Sequence, residues 1–208
     1  AVFDSTGQYL KATTWAGSIY ASNDYGASWA EQTNSAEKCW YTITSDSTGQ
    51  YLAAGDFCGE SSYGGYIYTS NNYGEDWAER INSGKKQWVT IASSSTGQYL
   101  AAVAGWEWPD FLSLSNNFGQ DWEVQTDLGE NYWASVDSDS TGQYLVTAVY
   151  GGYLYTYNSR AIVSTESASS TTASSVTLSG NIINIGNSNP TVRGFEYGLT
   201  NTYGLTTE

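Results

Sequence analysis

The feature that most constrains the fold is a phrase that recurs along the chain. STGQYL begins at Ser5, Ser47, Ser95 and Ser140, so successive copies lie 42, 48 and 45 residues apart. A second phrase follows the first three copies and reads SNDYGASW, SNNYGEDW and SNNFGQDW. Self-similarity at this period indicates a repeat architecture, and about 40–50 residues per unit suits a four-stranded propeller blade.

The second repeat predicts four short strands separated by polar turns. Lys38 to Ser45 alternates with a period of two, as a half-buried strand does. The other strands are expected at Tyr51 to Ala54, Gly65 to Ser70 and Asp76 to Arg80. We call DSTGQ at residues 46–50 and its counterparts the STGQ turns. The second phrase, at residues 22–29, 70–77 and 115–122, is called the polar turn. Four antiparallel strands with short hairpins make one blade.

Counting strands gives about three and a half blades within residues 1–160. The first repeat has only the end of its opening strand, and the last is expected to stop after its third strand, near Tyr157. Known propellers usually have about four to eight blades. We therefore expect a partial β-propeller. It is either a fragment of a longer polypeptide or a ring that another copy or swapped strands complete, and we prefer the fragment.

Residues 161–208 form a second segment without either phrase. Residues 161–175 are rich in Ser, Thr and Ala, which is typical of a linker or an edge strand, and strands are expected at 176–185 and 191–197. This length is too short for a complete β-sandwich. The predicted fold class is all-β: four-stranded antiparallel blades of a partial β-propeller, followed by a partial C-terminal β-sandwich.

The polar turn resembles the Asp-box of the bacterial neuraminidase (BNR) repeat superfamily, whose pattern is Ser/Thr-x-Asp-x-Gly-x-Thr-Trp. The first copy matches almost position for position, whereas Asn replaces the Asp and Asp replaces the Thr in later copies. The resemblance implies a propeller fold that sialidases, xyloglucan hydrolases, sortilin-type receptors and photosystem assembly factors share. The tail phrase VRGFEYGLTNTYG, at 192–204, resembles fibronectin type III-like modules of large bacterial surface proteins.

We expect the polar turns to be structural. The side-chain oxygen of the Asp or Asn can accept N–H groups within its own turn, and the Gly takes a positive φ. The Trp is expected to pack between blades and to bury a large area. Three copies in three blades cannot all line one site. The residues with this predicted role are Ser22, Asp24, Gly26, Trp29, Ser70, Asn72, Gly74, Trp77, Ser115, Asn117, Gly119 and Trp122.

The composition argues against several functions. The net charge of −14 disfavours binding to nucleic acid or to an anionic membrane surface. No apolar run is long enough to span a membrane. The chain has no His, which excludes Ser-His and Cys-His nucleophile pairs and most zinc sites, so neither a cofactor nor a metal is predicted. Sparse Lys with abundant Ser, Thr, Asn and Gly suggests an extracellular or cell-surface location.

The two cysteines, Cys39 and Cys58, lie in one predicted blade. Its first two strands pair around a turn near Thr48, and mirroring position 39 through this turn lands near position 57. The hairpin therefore predicts a disulfide, and the alternative is two buried free thiols. A disulfide implies an oxidising compartment, and its loop would contribute on the order of 3 kcal/mol by the chain-entropy estimate.

In a four-stranded meander, the connections from second to third strand and from each blade to the next lie on one face, the loop face. The STGQ and polar turns lie on the opposite, turn face. Sequence variation concentrates on the loop face, in TWAGS, GDFCGESSYGG and GWEWPDF. Aromatic rings there could stack on sugars; the alternative is packing over the propeller end or against a neighbouring subunit. The glycan-binding candidates are Trp15, Tyr63, Trp106, Trp108, Glu107 and Asp110, with Asp56 and Glu60 as further carboxylates.

The sequence leaves three functional hypotheses. The favoured hypothesis is a non-catalytic structural or adhesive module of a large exported repeat protein, including a subunit of a surface filament. Its expected partners are other copies of itself or neighbouring modules of the same polypeptide. The second is a glycan-binding module that uses the Trp-rich loops. The third is a glycoside hydrolase, which needs two carboxylates about 5–10 Å apart. Because Arg80, Arg160 and Arg193 match no sialidase motif, we predict no sialidase and favour no enzymatic activity.

Overall fold

The computed structural model describes residues 1–58, 64–158, 162–165, 177, 179–184, 195–197 and 205–207. The chain divides into two compact units, Ala1–Tyr157 and Asn158–Glu208. The first unit consists of antiparallel sheets whose strands follow one another in sequence order, which is a meander in each sheet. The predicted all-β class with partial propeller blades is confirmed.

The first unit contains four blades. Blade 1 comprises β1 (Val2–Phe3), β2 (Leu10–Thr13), β3 (Ile19–Ser22) and β4 (Ala30–Gln32). Blade 2 comprises β5 (Trp40–Ser45), β6 (Leu52–Asp56), β7 (Ile67–Ser70) and β8 (Ala78–Arg80). Blade 3 comprises β9 (Trp88–Ser93), β10 (Leu100–Ala104), β11 (Leu112–Ser115) and β12 (Glu123–Gln125). Blade 4 comprises β13 (Trp133–Ser138), β14 (Tyr144–Val149) and β15 (Leu154–Asn158).

The blades are joined by short connections that the sequence pattern did not reveal in full. Single turns of 3-10 helix, Thr33–Ser35 and Ile81–Ser83, follow the fourth strands of blades 1 and 2. The Ser at the end of each turn is buried, and its hydroxyl accepts a backbone N–H from the third strand of the same blade. These turns fix the direction in which the chain enters the next blade.

The core between blades is built on one Trp in the first strand of blades 2, 3 and 4. Trp40, Trp88 and Trp133 are buried. Trp88 packs with Ile67 of the preceding blade, and the other two occupy the same position in their own blades. The indole N–H of Trp88 donates to the Gly65 carbonyl at 3.1 Å, so this polar atom is satisfied. A Trp buries a large apolar area, which makes this position the main source of adhesion between blades.

The polar-turn tryptophans are not buried alike. Trp77 and Trp122 are partly buried against core clusters that each join their own blade to the preceding one, and each lies about 6 Å from the first-strand Trp of its own blade, at 6.1 and 6.2 Å between ring centroids. Trp29 is 43% exposed. The physical reason is that the first strand of blade 1, Val2–Phe3, contributes no Trp against which Trp29 could pack.

Backbone hydrogen bonds link neighbouring blades across the STGQ turns. The N–H of Ser5 donates to the carbonyl of Ser47, that of Ser47 to Ser95, and that of Ser95 to Ser140, at 2.8–3.0 Å. Within blades 1 to 3, the N–H of the aromatic residue in the polar turn donates to the Gln carbonyl of the STGQ turn. Both sets of turns therefore lie on the same face, as the meander predicts.

The second unit contains two antiparallel strand pairs among its described residues. β16 (Ile162–Thr165) pairs with β17 (Gly180–Asn184), and β18 (Phe195–Tyr197) pairs with β19 (Leu205–Thr207). β17 and β18 fall within the two predicted strands, and β16 falls within the segment predicted as a linker or an edge strand. β19 was not predicted. The predicted loop at 186–190 lies outside the described residues.

Candidate functional site

The loop face is held together by isolated β-bridges between its two kinds of connection. Gly17 pairs with Lys38, Gly65 with Lys86, and Asp110 with Asn131. Each bridge joins the connection between the second and third strands to the segment that enters the next blade. The variable loops are therefore anchored at their bases, and their aromatic residues project from a regular scaffold.

Four aromatic side chains from three blades meet on this face. Phe57 lies between Tyr41 at 5.0 Å, Trp15 at 5.5 Å and Trp106 at 6.2 Å between ring centroids. Trp15 also contacts Tyr41 at 6.3 Å. We call Trp15, Tyr41, Phe57 and Trp106 the aromatic cluster. Trp15, Tyr41 and Trp106 are exposed, Trp106 by 63%, so the cluster presents ring surface to solvent.

Local backbone geometry places each member of the cluster. Tyr41 is the extra residue of a β-bulge, because Trp40 pairs with Asp56 while Thr42 pairs with Gly55. The bulge lets Tyr41 point outward while Trp40 stays in the core. Trp106 follows Gly105, whose φ of 137° is a conformation that side chains other than glycine rarely adopt.

The structure brings together two of the predicted candidates and leaves another apart. Trp15 and Trp106 both belong to the aromatic cluster, whereas Trp108 is exposed and makes none of the ring contacts found among the described residues. Tyr63 and Glu60 lie outside the described residues. Tyr41 and Phe57 were missed. The signal was present, since each lies within two residues of a cysteine in the predicted hairpin.

The candidate carboxylates Asp56 and Asp110 are both held by lysines. Asp56 is buried, lies 3.9 Å from the Lys38 ammonium, and accepts the Cys58 N–H at 3.2 Å. Asp110 accepts a hydrogen bond from Lys86 at 2.7 Å and another from the Phe111 N–H. These contacts tie the loops to the strands beneath them, which is a structural role.

The remaining candidate, Glu107, is exposed next to Trp106, and its backbone N–H donates to the Gln87 side chain at 3.0 Å. The described connections of the loop face carry three lysines against five carboxylates. The lysines are Lys38, Lys85 and Lys86, and the carboxylates are Glu37, Glu107, Asp110, Asp127 and Glu130. Two of these lysines are already paired, so the face repels anionic ligands.

The predicted disulfide is confirmed. Cys39 and Cys58 are bonded with their Cα atoms 5.5 Å apart, and the alternative of two free thiols is wrong. Cys39 immediately precedes β5, and Cys58 lies two residues beyond the end of β6. The bond therefore closes the loop-face end of this hairpin, directly beside Tyr41 and Phe57.

The polar turns are closed internally. In all three copies the Ser hydroxyl accepts the N–H of the Gly four residues later at 2.9 Å. The oxygen of Asp24, Asn72 or Asn117 accepts the N–H four residues further on, at 2.8–3.0 Å. The Ser28 hydroxyl and N–H, followed by the Ser22 hydroxyl, lower the pKa of Asp24 to about 2. The hydrogen-bonding groups of the polar turns are therefore used within each turn.

The STGQ turns of blades 1, 2 and 4 use a carboxylate in a similar way, and that of blade 3 uses the Ser94 hydroxyl, which accepts the Tyr99 N–H. Asp46 accepts the Thr48 hydroxyl at 2.6 Å and the Tyr51 N–H at 3.0 Å. At Asp4 and Asp139, burial by itself raises the pKa, but hydrogen bonds from Thr6 and Thr141 and from backbone N–H groups outweigh it. The pKa of both carboxyls is therefore lowered. The turn face is thus saturated with internal hydrogen bonds.

The described part of the chain contains no group of three or more Cys, Asp or Glu side chains arranged to hold a metal ion. Among the same residues, no helix is both long and apolar enough to cross a lipid bilayer.

Solved structures similar to this chain include propellers of glycoside hydrolases. An ancestral GH74 enzyme is 17% identical with a TM-score of 0.55, covering 72% of this chain and 21% of its own. The GH74 enzyme of Niastella koreensis is 16% identical with a TM-score of 0.59, covering 75% and 28%. The GH74 xyloglucanase of Xanthomonas campestris is 16% identical with a TM-score of 0.54, covering 73% and 27%.

These similarities establish a propeller-like fold, and the chain spans only about a quarter of the length of these enzymes. No protein-family model matches the sequence, and no curated protein matches it either. The favoured prediction of a non-catalytic adhesive module or filament subunit is wrong: the similar structures include GH74 enzymes, and the similarity shows the fold and gives no support for an adhesive filament. The prediction inferred adhesion from unfinished repeats, which carry no information about what a propeller face binds.

Proposed function

We propose that the loop face binds a neutral polysaccharide, as part of a propeller of the glycoside hydrolase type. The observation that carries the proposal is the aromatic cluster, in which Trp15, Tyr41, Phe57 and Trp106 from three blades form one exposed surface. An exposed aromatic patch of this kind on an otherwise polar protein marks a binding surface. Ring faces stack on the C–H faces of sugars, and several rings in contact can follow an extended chain.

The charge of the loop face selects the class of polysaccharide. Carboxylates outnumber lysines in its connections, and Lys38 and Lys86 are engaged with Asp56 and Asp110. A face of this kind disfavours uronic-acid or sulfated chains through like-charge repulsion. A neutral glycan meets no such penalty. Xyloglucan is the first ligand to test, because one of the similar propellers is a xyloglucanase.

We assign no catalytic step to the described carboxylates. A glycosidase needs a pair that flanks the scissile bond, with one member free to give up or take up a proton. Asp56 is buried and Asp110 is bonded to Lys86, so both act in holding the loops. Incubation with xyloglucan is expected to release no reducing ends. Release that disappears in Glu107→Gln or Asp110→Asn would assign catalysis to this face instead.

Titration calorimetry of the full chain tests the proposal, with xyloglucan, a neutral β-glucan and polygalacturonate as ligands. We expect binding to a neutral glycan and none to polygalacturonate. Trp15→Ala and Trp106→Ala should each weaken binding about ten-fold, the loss typical of an aromatic anchor. Tyr25→Ala is the matched control, because Tyr25 is an exposed aromatic residue of the turn face.

The proposal fails if the wild-type chain binds none of the neutral glycans. It fails equally if Tyr25→Ala weakens binding as much as Trp106→Ala does. Tighter binding to polygalacturonate than to neutral glycans would overturn the assignment of the ligand class while leaving the location of the site in place.

We also propose that the propeller belongs to the BNR superfamily, that a fibronectin type III-like module follows it, and that the protein is extracellular. Membership of the BNR superfamily is supported by the polar turns, whose Ser, Asp or Asn, and Gly make the same bonds in three copies. A fibronectin type III-like module in Asn158–Glu208 is supported by its antiparallel strand pairs. An extracellular location is supported by the disulfide. Mass spectrometry of the secreted and intracellular fractions of the source cells tests the location.

A further inference from the structure

We infer that the Cys39–Cys58 disulfide is a positioning device for the polysaccharide site, because it holds the Phe57 ring where it joins Trp15 to Trp106. The inference rests on the proposed function and adds a residue and a bond that the sequence did not assign to the site. Phe57 is a binding residue in this account, and the two cysteines act through it.

Phe57 occupies the centre of the aromatic cluster. Its ring contacts Tyr41 at 5.0 Å, Trp15 at 5.5 Å and Trp106 at 6.2 Å. Blades 1 and 2 are also joined through the contact between Trp15 and Tyr41. Among the described residues, the ring contact of Trp106 with the cluster is made through Phe57. Displacing Phe57 would therefore split the surface into two parts.

The backbone on both sides of Phe57 is anchored. The Phe57 N–H donates to the Cys39 carbonyl at 2.9 Å. On one side, Asp56 ends strand β6 and lies 3.9 Å from Lys38; on the other, Cys58 is bonded to Cys39 and donates its N–H to Asp56. A side chain that is already ordered loses less conformational entropy when a ligand binds, which favours affinity.

Blade 4 shows the same backbone arrangement without the disulfide. Tyr150 corresponds to Phe57, and its N–H donates to the Tyr132 carbonyl at 2.7 Å. Tyr132 and Gly151 stand where blade 2 has Cys39 and Cys58. Tyr150 is 84% exposed, whereas Phe57 is partly buried. The backbone hydrogen bond alone therefore leaves the ring in solvent, and blade 2 differs from blade 4 both in its disulfide and in the Trp106 ring of the next blade that packs on Phe57.

The test is a mutant cycle on the full chain with xyloglucan as the probe. Phe57→Ala and the double variant Cys39→Ser/Cys58→Ser are each expected to lower affinity about five- to ten-fold. The triple variant should lose no more than Phe57→Ala alone, because the disulfide acts through Phe57. Tyr150→Ala is the matched control in blade 4 and should leave affinity unchanged.

Near-UV circular dichroism gives a second reading that needs no ligand. Phe57→Ala and the double serine variant should change the tryptophan signal in the same way, while the far-UV spectrum shows that the blades remain folded. Absence of glycan binding by the wild-type chain would defeat the proposed function. The near-UV spectra would still test whether the disulfide positions the aromatic rings.

Three results would overturn the inference. They are unchanged affinity in the double serine variant, additive losses in the triple variant, and unchanged near-UV spectra in the folded variants. If the double serine variant does not fold, the comparison of Phe57→Tyr with Phe57→Ala decides with the disulfide intact. Phe57→Tyr should keep affinity and Phe57→Ala should lose it; equal affinities overturn the role of Phe57.

Discussion

The two faces of the first unit use aromatic residues in opposite ways. On the turn face, the aromatic residues belong to turns whose hydroxyl, carboxylate and N–H groups are bonded to one another, as Ser70 is to Gly74. The same arrangement recurs in blades 1 to 3. On the loop face, Trp15, Phe57 and Trp106 come from loops of different length and sequence, and they meet without any repeat relation.

This difference separates the residues that repeat from blade to blade from the loop residues that differ between blades. A group that holds blades together recurs from blade to blade, as the polar turn does in blades 1 to 3 and the first-strand Trp in blades 2 to 4. A ligand is bound once, so its site forms where the repeats differ. Substitutions on the loop face should therefore alter binding with little effect on stability. Substitutions at the positions that repeat from blade to blade should lower stability with little effect on binding.

The largest expected difference is in the free energy of unfolding, between variants of one buried and one exposed tryptophan. Trp88→Ala should lower the free energy of unfolding by about 3–5 kcal/mol, because Trp88 is buried between blades 2 and 3. Trp106→Ala should change it by less than about 0.5 kcal/mol, because Trp106 is mostly exposed. Urea denaturation of both variants measures the two values. Similar losses at both positions would contradict the separation of the faces.

The next comparison uses two leucines at the same repeat position. Leu112 of blade 3 is 0% exposed because it packs in a cluster with residues of blade 4. Leu154, which holds the same position in blade 4, is 74% exposed. Leu112→Ala should cost about 2–5 kcal/mol of unfolding free energy, and Leu154→Ala less than about 0.5 kcal/mol. Thermal and urea denaturation measure both, and equal costs would show that another element covers Leu154.

A smaller effect is expected within a polar turn. Ser70→Ala removes the acceptor of the Gly74 N–H and should destabilise the chain by about 1–3 kcal/mol, since the donor is left buried and unpaired. Affinity for xyloglucan should not change, because the turn lies on the opposite face. Denaturation and calorimetry on the same sample measure both quantities, and a change in affinity without loss of stability would argue against the structural role.

The smallest expected effect is a dependence of the melting temperature on pH that arises from Asp24. Its pKa is lowered to about 2, so its hydrogen bonds stabilise the fold above pH 4 and are lost as the pH falls toward 2. Asp24→Asn keeps a side-chain oxygen, as Asn72 and Asn117 do, but does not titrate. The melting temperature of the wild type should therefore fall more steeply between pH 4 and 2 than that of Asp24→Asn. Parallel curves would contradict this assignment.

The sequence predicted the parts of this molecule that depend on repetition or local geometry. The period, the alternation in Lys38 to Ser45 and the hairpin around Thr48 were enough to predict blades and the disulfide. The role of Trp29 was predicted incorrectly, because burial depends on what the neighbouring strand contributes. That information is not contained in the turn's own residues.

The candidate site was predicted only in part. Trp15 and Trp106 were recognised as exposed loop aromatics, but their meeting point at Phe57 was not. That contact depends on a β-bulge that turns Tyr41 outward and on the position of Phe57 immediately beyond β6. Both are set by three-dimensional packing, which the pattern of a single repeat does not encode.

Oxidative footprinting of the full chain with and without saturating xyloglucan tests directly whether the glycan binds at the aromatic cluster. We expect Trp15, Tyr41 and Trp106 to become protected, while Tyr25 and Tyr73, which are exposed on the turn face, keep their rates of modification. Protection of Tyr25 and Tyr73 with unchanged rates at the aromatic cluster would contradict this expectation.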